Sequence, residues 1–429
     1  MKQMIPQSVK NWYHLGQAIA ANVWHGFPSR QIKVIGVTGT NGKTTTVQMI
    51  TRILEENGQK VAMVSTINFK LGEKEWVNDT KYTTLSPFVV QRFLRQAVNA
   101  GCDYVVLETS SHSLDQFRVW GVEYRTAAVT NVTREHLDYH KTMEEYRRAK
   151  AKLFVAVQFA VINLDMEQPE EFVMAAGQAE TVFGYTLKNP VFNQQALSER
   201  ADQKFHEIKA YDINLALDHA SFQIEGVKFS LHLPGEFNIE NALAAIGVGL
   251  AERINLETMA RALEKIGGIP GRLELVPNTH GLKVMIDYAV TPDSLEKLYA
   301  LVDRIREPNG SVFAVFGACG ERDRGKRPLM GKIVSRHADV ILITNEDPYN
   351  EDPQQIIDEV AAGVKNKVRG ENFFIIMDRQ EAIRKALQMA KPGDLVIVTG
   401  KGAEETMAMG DQRIPWNDRQ VIQEELGKL

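Results

Sequence analysis

Gly36-Val37-Thr38-Gly39-Thr40-Asn41-Gly42-Lys43-Thr44-Thr45-Thr46 sets a glycine-rich turn, ending in Gly-Lys-Thr, between two apolar segments. Ile32 to Val37 reads as a buried strand, and Thr44 to Glu56 as a helix with Val47, Ile50 and Leu54 at helical spacing. A turn of this kind aims backbone N–H groups at phosphate where a helix N-terminus carries partial positive charge and unsatisfied donors. Lys43 reaches toward terminal phosphates, and the Thr44 hydroxyl suits Mg²⁺. The strict P-loop pattern asks for glycine where Val37 stands, so the loop is a shorter variant anchored at Gly39. The alternative is a glycine-rich turn with an incidental lysine, which the strand-turn-helix context opposes.

Three further groups have types and positions suited to chemistry. Glu108 ends the apolar run Val105-Val106-Leu107 and precedes Thr109-Ser110-Ser111-His112. In a parallel α/β sheet ligands gather at the carboxyl ends of strands, the edge that carries the phosphate loop. A carboxylate there can hold a nucleotide's metal directly or through water, or be a solvated strand-end acid. Asn131 ends another short strand, followed by Thr133-Arg134-Glu135-His136-Leu137-Asp138-Tyr139-His140. His136 is a candidate ligand, whereas His140 reads as a capping or packing residue, and no His-Glu-x-x-His pattern accompanies the pair. Lys150, in Tyr146-Arg147-Arg148-Ala149-Lys150, sits on a predicted helix and alone would read as a solvated surface lysine.

The elements that must position these residues alternate. Short strands are predicted at Val61–Ser65, Tyr104–Leu107, Ala127–Thr130 and Ala160–Asn163, with helices at Pro87–Asn99 and Met143–Phe154 between them. That alternation predicts an α/β fold: a P-loop central domain with a parallel sheet. Ser221–Leu233 reads as a β-hairpin around Glu225-Gly226, followed by helices at Ile239–Glu252 and Glu257–Ile266. Gly267-Gly268-Ile269-Pro270-Gly271 is the best domain boundary. Beyond it, strands at Val284–Asp287, Val312–Phe316, Val340–Thr344, Phe374–Ile376 and Leu395–Thr399 alternate with helices starting near Pro292, Lys326, Pro353 and Arg379. This predicts a C-terminal doubly wound, Rossmann-like α/β domain. The division is therefore 1–31, a short helical segment from about Val9 to Trp24; 32–269, the nucleotide-binding domain; and 270–429. Trp12, Leu15, Ile19 and Trp24 form an apolar stripe expected to pack onto the next domain, because it lacks the basic face of a membrane-surface helix.

Composition narrows the classes. The 429 residues are 44% hydrophobic and 24% charged, an ordinary globular balance with room for two or three domains. A net charge of -4 gives no electrostatic reason to expect nucleic acid. Cys102 and Cys319 lack any CxxC spacing, which disfavours structural zinc or disulfides and fits a reducing cytoplasm. No apolar run approaches the roughly 20 residues of a membrane span, and no signal peptide is evident.

Together these residues resemble the Mur ligases, ATP-dependent amino-acid-adding enzymes of peptidoglycan precursor synthesis, and within them the MurE branch, which adds the third residue to a UDP-N-acetylmuramoyl-dipeptide. The matching motifs run from the Gly39–Thr45 loop through Glu108–His112, Thr130–His140, Tyr146-x-x-Ala149-Lys150 and Gly235-x-Phe237-Asn238-x-x-Asn241. They continue in Pro270-Gly271-Arg272-Leu273-Glu274, Asp287-Tyr288-Ala289, Gly320-x-Arg322-Asp323-x-Gly325-Lys326-Arg327-Pro328 and Gly400-Lys401-Gly402. The resemblance implies that ATP phosphorylates a carboxylate to an acyl phosphate, which an amine then attacks. It implies that Gly39, Thr40, Asn41, Gly42, Lys43, Thr44, Thr45, Asn131, Asn238, Arg272 and Asp287 bind ATP. Thr44 and Glu108 would serve one Mg²⁺, His136 with Glu108 a second, and Lys150 would be carbamylated to support the metal region; Lys43, Glu108, His136 and Lys150 are thus the expected catalytic set. Thr83, Thr84, Ser110, Gln116 and Arg118 match positions for the muramoyl-peptide acceptor, and Glu346, Asp347, Tyr349, Gly400 and Glu404 positions for the amino acid. A monomer is expected, with ATP, acceptor and amino acid as partners.

The chain departs from that pattern in four places. The phosphate loop begins at residue 36, so the UDP-gripping N-terminal domain is expected to be absent and the acceptor's handle is open. Diaminopimelate-adding enzymes carry Asp-Asn-Pro-Arg, whose Arg pairs with a distal carboxylate; here Glu346-Asp347-Pro348-Tyr349 makes lysine or another basic amino acid credible beside diaminopimelate. Val290 and Ala403 replace family histidines, and Leu85 replaces the proline of a Thr-Thr-Pro turn. Two alternatives stand beside this reading. A folylpolyglutamate synthase-like ligase is opposed by Lys43-Thr44-Thr45 and by Ser110-Ser111-His112. A non-catalytic nucleotide-binding scaffold is opposed by the presence of Lys43, Glu108 and Lys150.

Overall fold

The computed structural model describes residues 7–78, 80, 83–188, 203–216 and 218–429, apart from the side chain of residue 8. They form two compact units: Met1–Thr133 with Thr142–Gly267, and Arg134–Lys141 with Gly268–Leu429.

In the first unit, nine strands join in one sheet: β1 (Lys33–Thr38), β2 (Val61–Val64), β3 (Asn68–Leu71), β4 (Lys74–Val77), β5 (Tyr104–Glu108), β6 (Thr126–Val129), β7 (Phe159–Asn163), β8 (Thr181–Thr186) and β9 (Lys204–Lys209). Their order is β4-β3-β2-β5-β1-β6-β7-β8-β9. All neighbours are parallel except β2–β3 and β3–β4. Buried parallel strands read as near-continuous apolar runs, and Val34, Ile35 and Val37 of β1 are all buried. On one face the helix Pro87–Asn99 covers Val34, Ala62 and Val105, while Tyr146, Leu153 and Phe154 cover Val129 and Ile162. The helix Lys43–Glu56 carries Val47, Ile50 and Leu54 into the core, as its spacing predicts. An antiparallel sheet of β10 (Tyr211–Leu215), β11 (Ala220–Ile224) and β12 (Val227–Leu231) contains the hairpin around Glu225-Gly226.

The second unit holds β13 (Glu274–Leu275), β14 (Lys283–Asp287), β15 (Val312–Phe316), β16 (Val340–Ile343), β17 (Phe373–Ile375) and β18 (Leu395–Thr399) in the order β13-β14-β18-β15-β16-β17. Only β13 is antiparallel. The chain runs outward from β14 to β17 and returns to place β18 between β14 and β15, which puts helices on both faces. The helices Arg379–Met389 and Asp418–Leu426 pack on Val284, Ile286, Val396 and Val398. This is a doubly wound sheet, and its switch point gathers the loops after β14, β15, β16 and β18 at one carboxyl edge. A hairpin of β19 (Thr406–Met409) and β20 (Gln412–Pro415) follows.

One expectation is corrected. The helix Gln7–His25 does not turn its aromatic stripe inward: Trp12, Ile19 and Trp24 are exposed, and the buried positions are Ala18, Ala21 and Asn22. Asn22 decides the orientation, because its amide donates to Trp120 O at 2.8 Å and to Ala18 O at 2.9 Å. Among the described residues, no helix is long and apolar enough to cross a membrane.

Candidate active site

The carboxyl edge of the nine-stranded sheet brings together the turn after β1 and the ends of β2, β5 and β6. Gly39 and Gly42 have φ of 151° and 82°, values that side chains resist. Space excludes a side chain as well: a Cβ on Gly39 would lie 1.9 Å from Thr130 Oγ1, and on Gly42 2.1 Å from Asn241 Oδ1. The loop is pinned from β6. Asn131 Oδ1 accepts from Asn41 N at 2.9 Å, while Asn131 Nδ2 and Thr130 Oγ1 donate to Asn41 O at 3.1 and 2.6 Å. Lys43 folds back to donate to Thr40 O at 2.8 Å. No side chain caps the helix that starts at Lys43, so its first turn faces the loop through backbone donors, with Thr44 and Thr45 buried beside them.

Glu108 is buried at the end of β5, not a solvated strand-end acid. Its Oε2 accepts from Thr44 Oγ1 at 3.0 Å and from Thr66 N at 2.8 Å, and its Oε1 from Thr66 Oγ1 at 2.9 Å. A threonine hydroxyl and a carboxylate oxygen this close form the hard-oxygen pair that suits Mg²⁺, which keeps most of its shell as water or substrate phosphate. Among the described residues no group of three or more His, Cys, Asp or Glu could hold a metal by itself. Beside Glu108, Thr83 Oγ1 lies 3.2 Å from Thr66 Oγ1, whose proton goes to the carboxylate, and Thr84 Oγ1 donates to Glu108 O at 3.1 Å. Ser110 N donates to Thr84 Oγ1 at 3.0 Å, and Arg118 Nη1 to Thr84 O at 3.0 Å. Thr83, Thr84, Ser110 and Arg118 therefore share one polar ledge, and Gln116 follows the short helix that Ser110 caps.

Lys150 is wholly buried, unlike the surface lysine its sequence context suggests. Its Nζ donates to Gly39 O at 2.6 Å and lies 4.5 Å from the centroid of Tyr146, whose hydroxyl is 3.1 Å from Thr40 Oγ1. Burial holds the Lys150 amine well below its ordinary pKa; the charge of Lys43 pushes the same way and Glu108 opposes both. A buried amine so biased toward its neutral form can attack carbon dioxide. Asn238 is engaged locally, donating to Pro234 O at 2.8 Å and accepting from Asn241 Nδ2 at 3.2 Å.

In the second unit, Asp287 ends β14 and accepts from Leu273 N at 2.9 Å, with burial raising its carboxyl pKa against the pull of Arg272. The Arg272 guanidinium lies 4.6 Å over the Tyr288 ring. After β16, Asp347 Oδ2 accepts from Lys401 Nζ at 2.8 Å and Oδ1 from Ala408 N at 2.7 Å. Lys401 also donates to Glu404, whose Oε1 accepts from Tyr288 OH at 3.3 Å. Two carboxylates thus hold the Lys401 ammonium above its ordinary pKa. Glu346 is buried: Cys319 Sγ donates to its Oε1 at 2.9 Å, its Oε2 has no hydrogen-bond partner, and desolvation raises its pKa. Gly400, at φ 114°, faces that oxygen, which would lie 2.4 Å from an added Cβ. Tyr349, its phenol pushed up to about 12 mainly by burial, lies beneath Arg322 at 5.5 Å. His136 has φ 56° at the start of a short helix in this second unit, beside Glu135, which is paired with buried Lys326 at 3.0 Å. Glu108, Lys43 and Lys150 lie in the first unit.

Thr66 is the partner of Glu108 that sequence reasoning missed; it follows a short strand in an unremarked Ser-Thr pair. Lys401 and Tyr146 stood inside quoted motifs, but only the fold shows their contacts.

Comparison with known proteins shows the family. Residues 37–249 match the Mur ligase middle domain, and 271–402 match the Mur ligase, glutamate ligase domain. The chain is 38% identical over 430 residues to a UDP-N-acetylmuramyl-tripeptide synthetase of Roseiflexus sp. (strain RS-1), covering 95% of this chain and 81% of that protein. It is 38% identical over 410 residues to a UDP-N-acetylmuramoyl-L-alanyl-D-glutamate--2,6-diaminopimelate ligase of Clostridium botulinum, covering 95% and 80%. Among solved structures, a 2,6-diaminopimelate ligase of the same description aligns with TM-score 0.60 at 30% identity, over 92% of this chain and 78% of that one. Mycobacterium tuberculosis folylpolyglutamate synthase aligns with TM-score 0.71 over 92% of each chain, but at 17% identity, which speaks to the fold alone.

Proposed function

Because the chain belongs to the Mur ligase family of ATP-dependent amide ligases, we propose that it joins an amino acid to a UDP-N-acetylmuramoyl-dipeptide-like acceptor in peptidoglycan precursor synthesis, in the cytoplasm. The acceptor carboxylate takes the terminal phosphoryl group of ATP, releasing ADP and leaving an acyl phosphate. The amine nitrogen then attacks the acyl carbon, phosphate leaves with the C–O bond pair, and the nitrogen loses a proton. In this reading residues 32–269 hold the acceptor and most of the nucleotide, and 270–429 bring the amino acid together with Arg272 and Asp287.

The observation that carries the reading is the joining of Thr44, Glu108 and the Gly39–Lys43 turn, with Lys150 buried against Gly39. Like charges must be brought together here, so catalysis rests on placement and charge neutralisation. The Gly39–Thr45 amides with Lys43 hold the phosphates, and Asn131 fixes their curvature. Asn238, Arg272 and Asp287 hold the rest of the nucleotide. Thr44 and Glu108 would hold one Mg²⁺, whose charge offsets that of phosphate; His136 would ligate a second ion, and Lys150 would act as a carbamate. Thr83, Thr84, Ser110, Gln116 and Arg118 receive the acceptor, while Glu346, Asp347, Tyr349, Gly400 and Glu404 receive the amino acid, which is lysine, diaminopimelate or a similar diamine.

Amine-dependent phosphate release, measured with UDP-muramoyl-dipeptide across a panel of amino acids, tests the reading. Release with one or a few basic amino acids supports it. Absence of binding to ATP with magnesium removes its foundation.

A further inference from the structure

The first helix, Gln7–His25, is amphipathic in the wrong sense for an isolated unit. Trp24 is 81% exposed, Trp12 73% and Tyr13 65%, with Val9, Ile19 and Val23 exposed beside them, whereas Asn22 is fully buried. Exposed positions 9, 12, 13, 16, 19, 20 and 23 recur at three- and four-residue spacing, a stripe of Val, Trp, Tyr, Gly, Ile, Ala and Val over two heptads. Such a repeat is the seam by which one helix packs on another. Scattered exposed apolar residues need no explanation, but a continuous seam marks an interaction surface.

The seam is complementary to itself. A two-fold axis at Gly16 sets Val9 opposite Val23, Trp12 opposite Ala20, Tyr13 opposite Ile19, and Gly16 opposite Gly16. Large residues meet small or mid-sized ones, and the crossing point carries no side chain. A Cβ on Gly16 would meet nothing within 4 Å, so room for a partner is open there. The area also suits a dimer. Trp12 and Tyr13 expose on the order of 300 Å² per copy, and Val9, Ile19 and Val23 bring this to about 550 Å², the lower end of interface sizes, where association is reversible. A lipid surface fits less well, because interfacial helices carry a cationic polar face. Here Lys10 is the helix's sole lysine or arginine.

We propose that this face is the interface of a homodimer in which the Gln7–His25 helices of two copies of this chain pack antiparallel about a two-fold axis at Gly16. Sedimentation velocity of the full chain over a concentration series should show a monomer–dimer equilibrium. Trp12→Glu and Ile19→Glu should each weaken association by about 30-fold or more, with far-UV circular dichroism and phosphate release unchanged. Under mild oxidant, a mixture of Val9→Cys and Val23→Cys chains should give a covalent dimer that neither gives alone. A monomer at every concentration overturns the proposal, as does a dimer that survives both glutamates. Crosslinking of Val9→Cys to itself overturns the antiparallel register. A monomer that floats with phosphatidylglycerol vesicles gives the face to lipid, which also overturns it.

Discussion

Lys43 and Lys150 lie beside the same turn, and the proposed function gives them different tasks that their substitutions test separately. Lys43→Ala should reduce ATP turnover by about a thousandfold or more, as expected when a charge facing the transition state is removed, while circular dichroism stays native. Lys150→Ala should lose activity that formate partly restores, because a short carboxylate can replace the carbamate oxygens; wild-type rate in that variant would end the carbamate assignment. The titration of Lys150 also has a thermodynamic sign. Its folded pKa lies below the ordinary 10.5, so between those values the unfolded chain binds the extra proton and stability rises with pH. In carbon-dioxide-free buffer the urea midpoint of the wild type should therefore climb toward that of Lys150→Met as pH rises through this window. A constant gap between the two would mean that the amine is not neutral in the folded protein. Sequence placed Lys150 on a helix but gave it a solvated setting, since one cation in Arg147-Arg148-Ala149-Lys150-Ala151-Lys152 looks like the next. Only packing against Gly39 and Tyr146 distinguishes it.

At the scale of elements, the phosphate turn is held by its own backbone and by Asn131, which makes Gly42 its weak point. Gly42→Ala should cost about 1–3 kcal/mol for the left-handed backbone, with a further loss from the encounter with Asn241. Urea denaturation measures the stability, and nucleotide titration should show weaker binding in parallel. Elements with strong periodicity were legible to within a few residues, including the helices at 43–56 and 87–99 and the five parallel strands β14 to β18 of the second unit. Those that escaped have physical reasons. In β8, Gly184 interrupts the apolar run because Phe205 and Leu164 occupy the space its side chain would need. β4 is exposed along its length and offers no buried face to read. The first helix was found but turned the wrong way, since hydrophobic patterning assumes an isolated core and Asn22 overrides it by hydrogen bonding.

At the scale of the molecule, the proposed function places the choice of amino acid at residues 346–349. Tyr349→Arg should shift selectivity toward diaminopimelate on the order of tenfold, the worth of one added charge-assisted hydrogen bond; an unchanged panel would place that choice elsewhere. The composition and the Gly267–Gly271 break suggested two α/β bodies in sequence, and no local pattern hinted that Arg134–Lys141 joins the second. Glu135→Gln in the full chain leaves Lys326 buried without its countercharge, so it should cost about 3–5 kcal/mol, read from denaturation midpoints. The same ion pair sets an order of events at the ribosome. Glu135 emerges 191 residues before Lys326, an interval of about 10–40 s at ordinary elongation rates. Through that time the nascent strand-to-helix passage carries a carboxylate with no cation to meet. The body that is completed last must wait to recruit a piece of chain already made.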